Sequence, residues 1–198
     1  MSTAIQEFYP PGSHAMRKSK EEAAETRRRI VTAAAGEFRE HGIVATGLAD
    51  LMQSAGLTHG GFYKHFQSKD QVVAEACAEA VRVLMEKLEA APSKGSALGS
   101  YLSTRHRDDP ATGCPLAALG SELARSDEKT REAATVGFLR LVNVLAGKPG
   151  KVPPEVARRR ALVAVSTMIG AVTMSRVVTD AKLSADILTE AERSLTDG

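Results

Sequence analysis

The 198-residue chain carries 26 basic and 24 acidic side chains, a formal net charge of +2, no tryptophan and two cysteines. A balance so close to neutral names no partner, so any electrostatic argument rests on local charge distribution. Cys77 and Cys114 show no CxxC or Cys/His metal spacing, which argues against a zinc module or disulfide scaffold and suits a reducing cytoplasm, with no metal or cofactor expected.

Alanine, leucine, valine, arginine and glutamate dominate, and β-branched residues rarely alternate with polar ones, so the fold class expected is all-α. The opening MSTAIQEFYPPGSHAMRKSK has no apolar core before a small-residue cleavage site and does not read as a secretory signal. Residues 1–16 are expected to form a disordered arm or a cloning remnant, outside the fold. The first helix is expected from about Ser19 to His41, with Ile30, Ala34 and Phe38 in one apolar stripe beside Val31 and Ala35, and Gly42 as its stop.

Thr46 is placed to cap a short second helix, GLADLMQSA, whose Leu48, Leu51, Met52 and Ala55 share a face and which Gly56 ends. A third short helix opens at Thr58 and turns Phe62 and Phe66 inward. Ser68 caps a long fourth helix carrying Val72, Val73, Ala76, Cys77, Ala80, Val83, Leu84 and Leu88 on its apolar surface. PSKGS is a composition break. Further helices are expected over 97–107, 115–125 and 127–146. After the loop GKPGKVPP, a long apolar helix runs from Pro154 or Glu155 to about Thr179, and a last amphipathic one from Ser184 to Leu195. The most apolar stretch, Ala161 to Ser175, falls short of the roughly 20 residues of a membrane-spanning helix, so no membrane partner is expected.

Helix, glycine turn and short helix is the spacing of a helix-turn-helix, and Thr46 to Lys69 holds one acid, Asp50, against two lysines and two histidines. Spacing alone leaves an ordinary helical hairpin with a solvated face equally open. The order of residues in TGLADLMQSAGLTHGGFYKHFQSKDQV resembles the DNA-binding signature of the TetR family of bacterial transcriptional regulators. Ala55-Gly56, Gly60, Tyr63, His65-Phe66 and Lys69 fall at that family's spacing, and TRRRIVTAAAGEFREHG resembles its first helix.

The resemblance covers about residues 20 to 90. It implies a TetR-like fold: an arm over 1–16, a helix-turn-helix domain over 17–67 and a helical effector-binding and dimerisation domain over 68–198. It also implies a cytoplasmic, ligand-responsive regulator, most often a repressor, that binds a near-palindromic double-stranded DNA operator as a homodimer. Carried over by position, Thr46 would cap the second helix and meet a phosphate. Thr58, His59, Gly60 and Gly61 would lie nearest base edges, and Tyr63, Lys64, His65 and Lys69 would contact phosphates. Three positions depart from the pattern. Gly61 stands where many relatives carry a side chain, Gly47 replaces a polar residue, and Met52 takes a place usually held by alanine.

For the remaining helices the resemblance implies a role without a ligand. Cys77, Leu84, Tyr101, Leu102, Leu119, Phe138 and Val142 are candidates to line an effector cavity, each with ordinary core as the alternative. The effector expected is small and apolar or electrophilic: Cys114, in TGCPLAALGSELA, would sit at a helix N-terminus whose dipole favours a thiolate, which points to a redox or electrophile sensor, with an inert buried thiol as the alternative. Ala161, Val165, Met168 and Val172 of the eighth helix, with Ile187 and Leu188 of the ninth, are expected at a four-helix dimer interface. No catalytic constellation is visible, and the five histidines are scattered, His106 reading as part of a polar turn. The rival of a different class is a helical protein-interaction module without sequence-specific DNA binding.

Overall fold

The computed structural model describes residues 12–147 and 152–197, and every regular element among them is helical. These are α1 (Gly12–His41), α2 (Leu48–Ser54), a 3-10 helix (His59–Lys64), α3 (Lys69–Glu89), α4 (Lys94–Tyr101), α5 (Thr104–Asp108), a 3-10 turn (Pro110–Thr112), α6 (Pro115–Leu123), α7 (Glu128–Ala146), α8 (Pro154–Val177) and α9 (Ala181–Thr196).

Where the chain carries a cap, the boundaries follow it. Gly42 takes a positive φ of 89° and donates its amide to the Phe38 carbonyl at 2.8 Å, ending α1. Ser68 accepts from the Gln71 amide to open α3, and Asp127 accepts from the Thr130 amide to open α7. Three expectations shift. The first helix begins at Gly12 rather than Ser19, because no glycine or proline interrupts the run from Ser13 to Ala35. Gly12 to Met16 are therefore helical, and residues 1–11 of the expected arm lie outside the described residues. The helix expected over 97–107 splits at Leu102, because the Ser103 hydroxyl accepts from the His106 amide and starts α5 afresh. The last helix opens three residues early, with Asp180 as its cap. Most of the GKPGKVPP loop, residues 148–151, lies outside the described residues.

Two hydrophobic cores are built on this frame. One joins α1, α2, the 3-10 helix, the first half of α3 and two leucines of α6, Leu119 and Leu123. The other joins the second half of α3 to α4, α6, α7, α8 and α9. The cores meet inside α3, between Ala80 and Val81, so the helix flanked by the two expected boundaries belongs to both halves. Gly137 brings α7 against it: a Cβ there would stand 2.6 Å from Val81 Cγ2.

At 24 residues, α8 is longer than the apolar stretch expected from sequence, and by length and composition it could cross a membrane. Its Ala161, Val165, Met168, Ala171 and Val172 are instead buried in the second core.

Candidate nucleic-acid interface and ligand cavity

The turn between α2 and the 3-10 helix is closed by paired backbone bonds. Gly56 (φ 69°) donates to Gln53 and Leu57 to Met52, both at 2.8 Å, the paired bonds of a left-handed helix stop. Thr58 is extended, and His59–Lys64 winds as a 3-10 helix rather than the α-helix expected. Two glycines weaken helix propensity there, and little chain remains before the Ser68 cap, conditions that favour the tighter winding. Phe62 and Phe66 anchor it, both buried, with ring centroids 5.6 Å apart. Tyr63 stands edge-on to Phe62 and is 69% exposed. Thr58, His59, Gly60 and Lys64 are exposed, and Gly61 and His65 half-buried.

The glycine pair is not demanded by the fold. Neither residue has a positive φ; a Cβ on Gly60 would meet nothing within 4 Å, and one on Gly61 would make ordinary contact, 3.5 Å from Met52 Cε. Two departures from the family pattern are thus adjacent in space, the long Met52 side chain reaching under Gly61.

Two expected site residues are committed inward. Thr46 is 3% exposed and its hydroxyl donates to the Gly42 carbonyl at 2.7 Å, so it closes the end of α1, while Gly47 takes the N-cap position of α2 without a side-chain cap. Lys69 donates its Nζ to the Ile43 carbonyl and lies over the Phe38 ring. Thr46 ties the α1–α2 connection back to the end of α1, and Lys69 ties it to α3.

The arginine run 27–29 is structural in the same sense, which sequence reasoning did not anticipate. Arg29 donates to the Ala55 carbonyl at 2.7 Å, at the end of α2. Arg27 donates to the His65 carbonyl at the end of the 3-10 helix, pairs with Glu75 and covers the Phe66 ring at 4.0 Å. Each cation sits at the carbonyl end of a helix, where the dipole favours it. Arg28 pairs with Glu25 of its own helix. In the recognition segment, Thr58, His59, Tyr63 and Lys64 are exposed.

In the other half, a cavity of about 320 Å³ opens among Leu84, Lys87 and Leu88 of α3, Ser100 and Tyr101 of α4, Ser103, Arg105 and His106 around α5, and Thr112 and Gly113. Of the eight expected cavity residues, Leu84 and Tyr101 line it. Leu102, Cys114 and Val142 are buried core, and Phe138 packs on that core half-buried. Cys77 and Leu119 belong to the amino-terminal core. Sequence reasoning missed the polar lining, which is scattered over three short elements without periodicity.

His106 organises the cavity wall instead of a solvent turn. Its Nδ1 faces the Tyr101 carbonyl at 2.7 Å and its Nε2 accepts the Cys114 amide at 2.8 Å, so the ring is neutral with its proton on Nδ1. Burial pulls its pKa below 6.5, with Arg176 and Lys87 adding to the effect. Cys114 is fully buried, and desolvation raises its thiol pKa, overriding the lowering expected at a helix start. Burial likewise pushes Cys77 up to about 11.

From this wall two contacts reach the amino-terminal half. Gly113 accepts from Arg39 of α1 at 3.2 Å. At the far end of α6, Glu122 accepts the Val44 amide of the α1–α2 connection at 2.9 Å.

The residues expected at the dimer interface face the chain's own core. Ala161, Val165, Met168, Val172 and Leu188 are each at most 3% exposed, and Ile187 is half-buried against the same cluster. Pairing with α7 and α9 has used that face of α8. The opposite face carries Val163, Ser166, Gly170, Met174 and Val177, all exposed, and Leu183 of α9 is exposed as well.

Comparison with known proteins agrees with this architecture along most of the chain. Residues 30–76 match the family model of bacterial regulatory proteins, tetR family, and residues 97–187 that of the transcriptional regulator LmrA/YxaF-like C-terminal domain. An uncharacterised HTH-type transcriptional regulator of Mycobacterium tuberculosis is 30% identical over 166 residues, covering 78% of this chain and 86% of that protein. The HTH-type transcriptional regulator TtgR of Pseudomonas putida is 45% identical over 58 residues, 29% of this chain and 28% of that protein. A TetR transcriptional regulator from Chloroflexus aurantiacus superposes with a TM-score of 0.70 at 25% identity, over 88% of this chain and 94% of that one. With the helix-turn-helix, the helical domain behind it and a relative matched over nearly its whole length, the chain belongs to the tetR family of bacterial transcriptional regulators.

Proposed function

We propose that this regulator is a ligand-responsive repressor that binds a near-palindromic operator as a homodimer and releases it when a small molecule fills the cavity between α3, α4 and α5. The observation that carries the reading is the outward edge of the recognition segment. Thr58, His59, Tyr63 and Lys64 make no side-chain hydrogen bond or ion pair within the described chain, and the adjoining glycines are not required by packing. Thr58, His59, Gly60 and Gly61 approach base edges; Tyr63, Lys64 and His65 meet phosphates. Thr46 and Lys69, given their inward bonds, position this segment.

Dimerisation uses the outer face of α8, where Val163, Met174 and Val177 flank Ser166 and Gly170, small enough to let a second copy of the helix approach closely. Twofold symmetry then sets the two recognition segments about 34 Å apart, one turn of DNA. Release follows from α3, which lines the cavity at Leu84, Lys87 and Leu88 and begins beside the recognition segment at Ser68, with α6 as a second link through Gly113 and Glu122. Both thiols are buried with raised pKa, so an electrophilic effector finds no thiolate.

Selecting bound fragments from random double-stranded DNA with the purified chain tests the reading. A palindromic motif with half-sites one turn apart is expected; fragments without a shared motif would contradict it.

A further inference from the structure

We propose that the effector taken by the cavity is a small organic anion with an apolar body, a carboxylate or sulfonate on a one- or two-ring frame. The inference rests on the ligand-responsive reading above and names the chemistry of its site. The lining pairs apolar surface from Leu84, Leu88 and the Tyr101 ring with two cations, Lys87 and Arg105, and contains no carboxylate. Several surface cations elsewhere are matched by acids: Arg28 with Glu25, Arg82 with Glu79 and Glu86, Lys182 with Asp186, Arg193 with Glu190. Lys87 donates only to the neutral Thr112 carbonyl, at 3.2 Å, and Arg105 has no ion pair among the described residues.

A carboxylate that acts on both Lys87 and Arg105 is Asp109. It is occupied by the Thr112 hydroxyl and amide, and those bonds, with help from Lys87 and Arg105, hold its pKa below the usual range. The third basic group of the wall, His106, is neutral because both ring nitrogens are engaged. The lining thus offers an anion two donors and no carboxylate of its own, while Asp109, already bonded to Thr112, is the acid that acts on both cations. Its volume of about 320 Å³ lies at the lower end of the range for small-molecule sites, which favours a compact ligand.

Binding would also be felt at α1. An anion that takes Lys87 competes with the Thr112 carbonyl, and the next residue, Gly113, holds Arg39 through its own carbonyl. The charge that recognises the ligand therefore sits one residue from a contact with the DNA-binding half.

Three probes of one shape test this: 2-naphthoate, 2-naphthol and 2-naphthylmethylammonium, titrated calorimetrically into the full chain without DNA. Naphthoate is expected to bind at least about tenfold more tightly than naphthol, with the cation weakest. Lys87→Gln and Arg105→Gln should each weaken naphthoate several-fold and leave naphthol unchanged. Naphthol binding as well as naphthoate, indifference of naphthoate to the paired Lys87→Gln/Arg105→Gln variant, or no binding by any probe would each overturn the proposal. DNA affinity of the same preparation, measured separately, distinguishes failure of the ligand class from failure of the regulator reading.

Discussion

In the amino-terminal half several cations reach carbonyls of their own half and the outward edge of the recognition segment stays unpaired, whereas in the carboxy-terminal half a packed apolar core leaves two cations beside a cavity. In the first, Arg27, Arg29, Thr46 and Lys69 all reach backbone carbonyls, and Thr58, His59, Gly60, Tyr63 and Lys64 of the recognition segment face outward. In the second, Cys114, Leu102 and Val142 close the core, while Lys87 and Arg105 face open space. A partner's chemistry is therefore better inferred from the side chains the fold does not use than from residue type.

The contrast can be broken by substitution, beginning with the anchor of the free segment. Phe62→Ala removes a fully buried ring and is expected to cost about 3–5 kcal/mol of stability, read by urea unfolding, with operator binding lost alongside. Gly137→Ala forces a Cβ against the buried, stiff Val81 and should cost about 1–3 kcal/mol, loosening the helix both halves share.

The pH dependence separates the halves at His106. Its pKa is lowered on folding, so the unfolded chain binds more protons in the window below about 6.5; stability is retained above that value and falls as pH drops towards the folded pKa. A thermal melt series from pH 7.5 to 5 should show the melting temperature of the native chain falling more steeply than that of His106→Gln. Equal slopes would remove His106 from the account. Smallest is Gly60→Ala, expected to change stability by less than about 1 kcal/mol, since the Cβ meets nothing, yet to weaken operator binding if the backbone lies close to DNA.

The two halves also differed in how far they could be read from sequence. The helix-turn-helix is written locally: Gly56 at a left-handed stop, Phe62 and Phe66 four apart and Ser68 at a cap are short-range requirements visible in ten or so residues. Even there, long-range bonds escaped notice. Nothing adjacent to Arg27 or Lys69 reveals that their partners are the His65 and Ile43 carbonyls. The cavity is the opposite case. Its walls come from α3, α4, α5 and the turn after it, and the Ser103 cap that splits the expected helix is what turns His106 towards Tyr101 and Cys114. The α8 stripe was recognised as apolar, but periodicity cannot say which of two apolar faces meets the chain and which is left over.

The central claim is that the unused edge of the recognition segment reads DNA, with affinity and sequence preference carried by different side chains. Operator and random-duplex affinities of the native chain, Lys64→Ala and His59→Ala, each across a range of salt concentrations, test it most directly. Lys64→Ala should weaken both duplexes alike and reduce the salt slope by about 1, while His59→Ala should cost about 1–3 kcal/mol on the operator and little on random DNA. Binding that ignores salt, or two variants that behave identically on both duplexes, would contradict it.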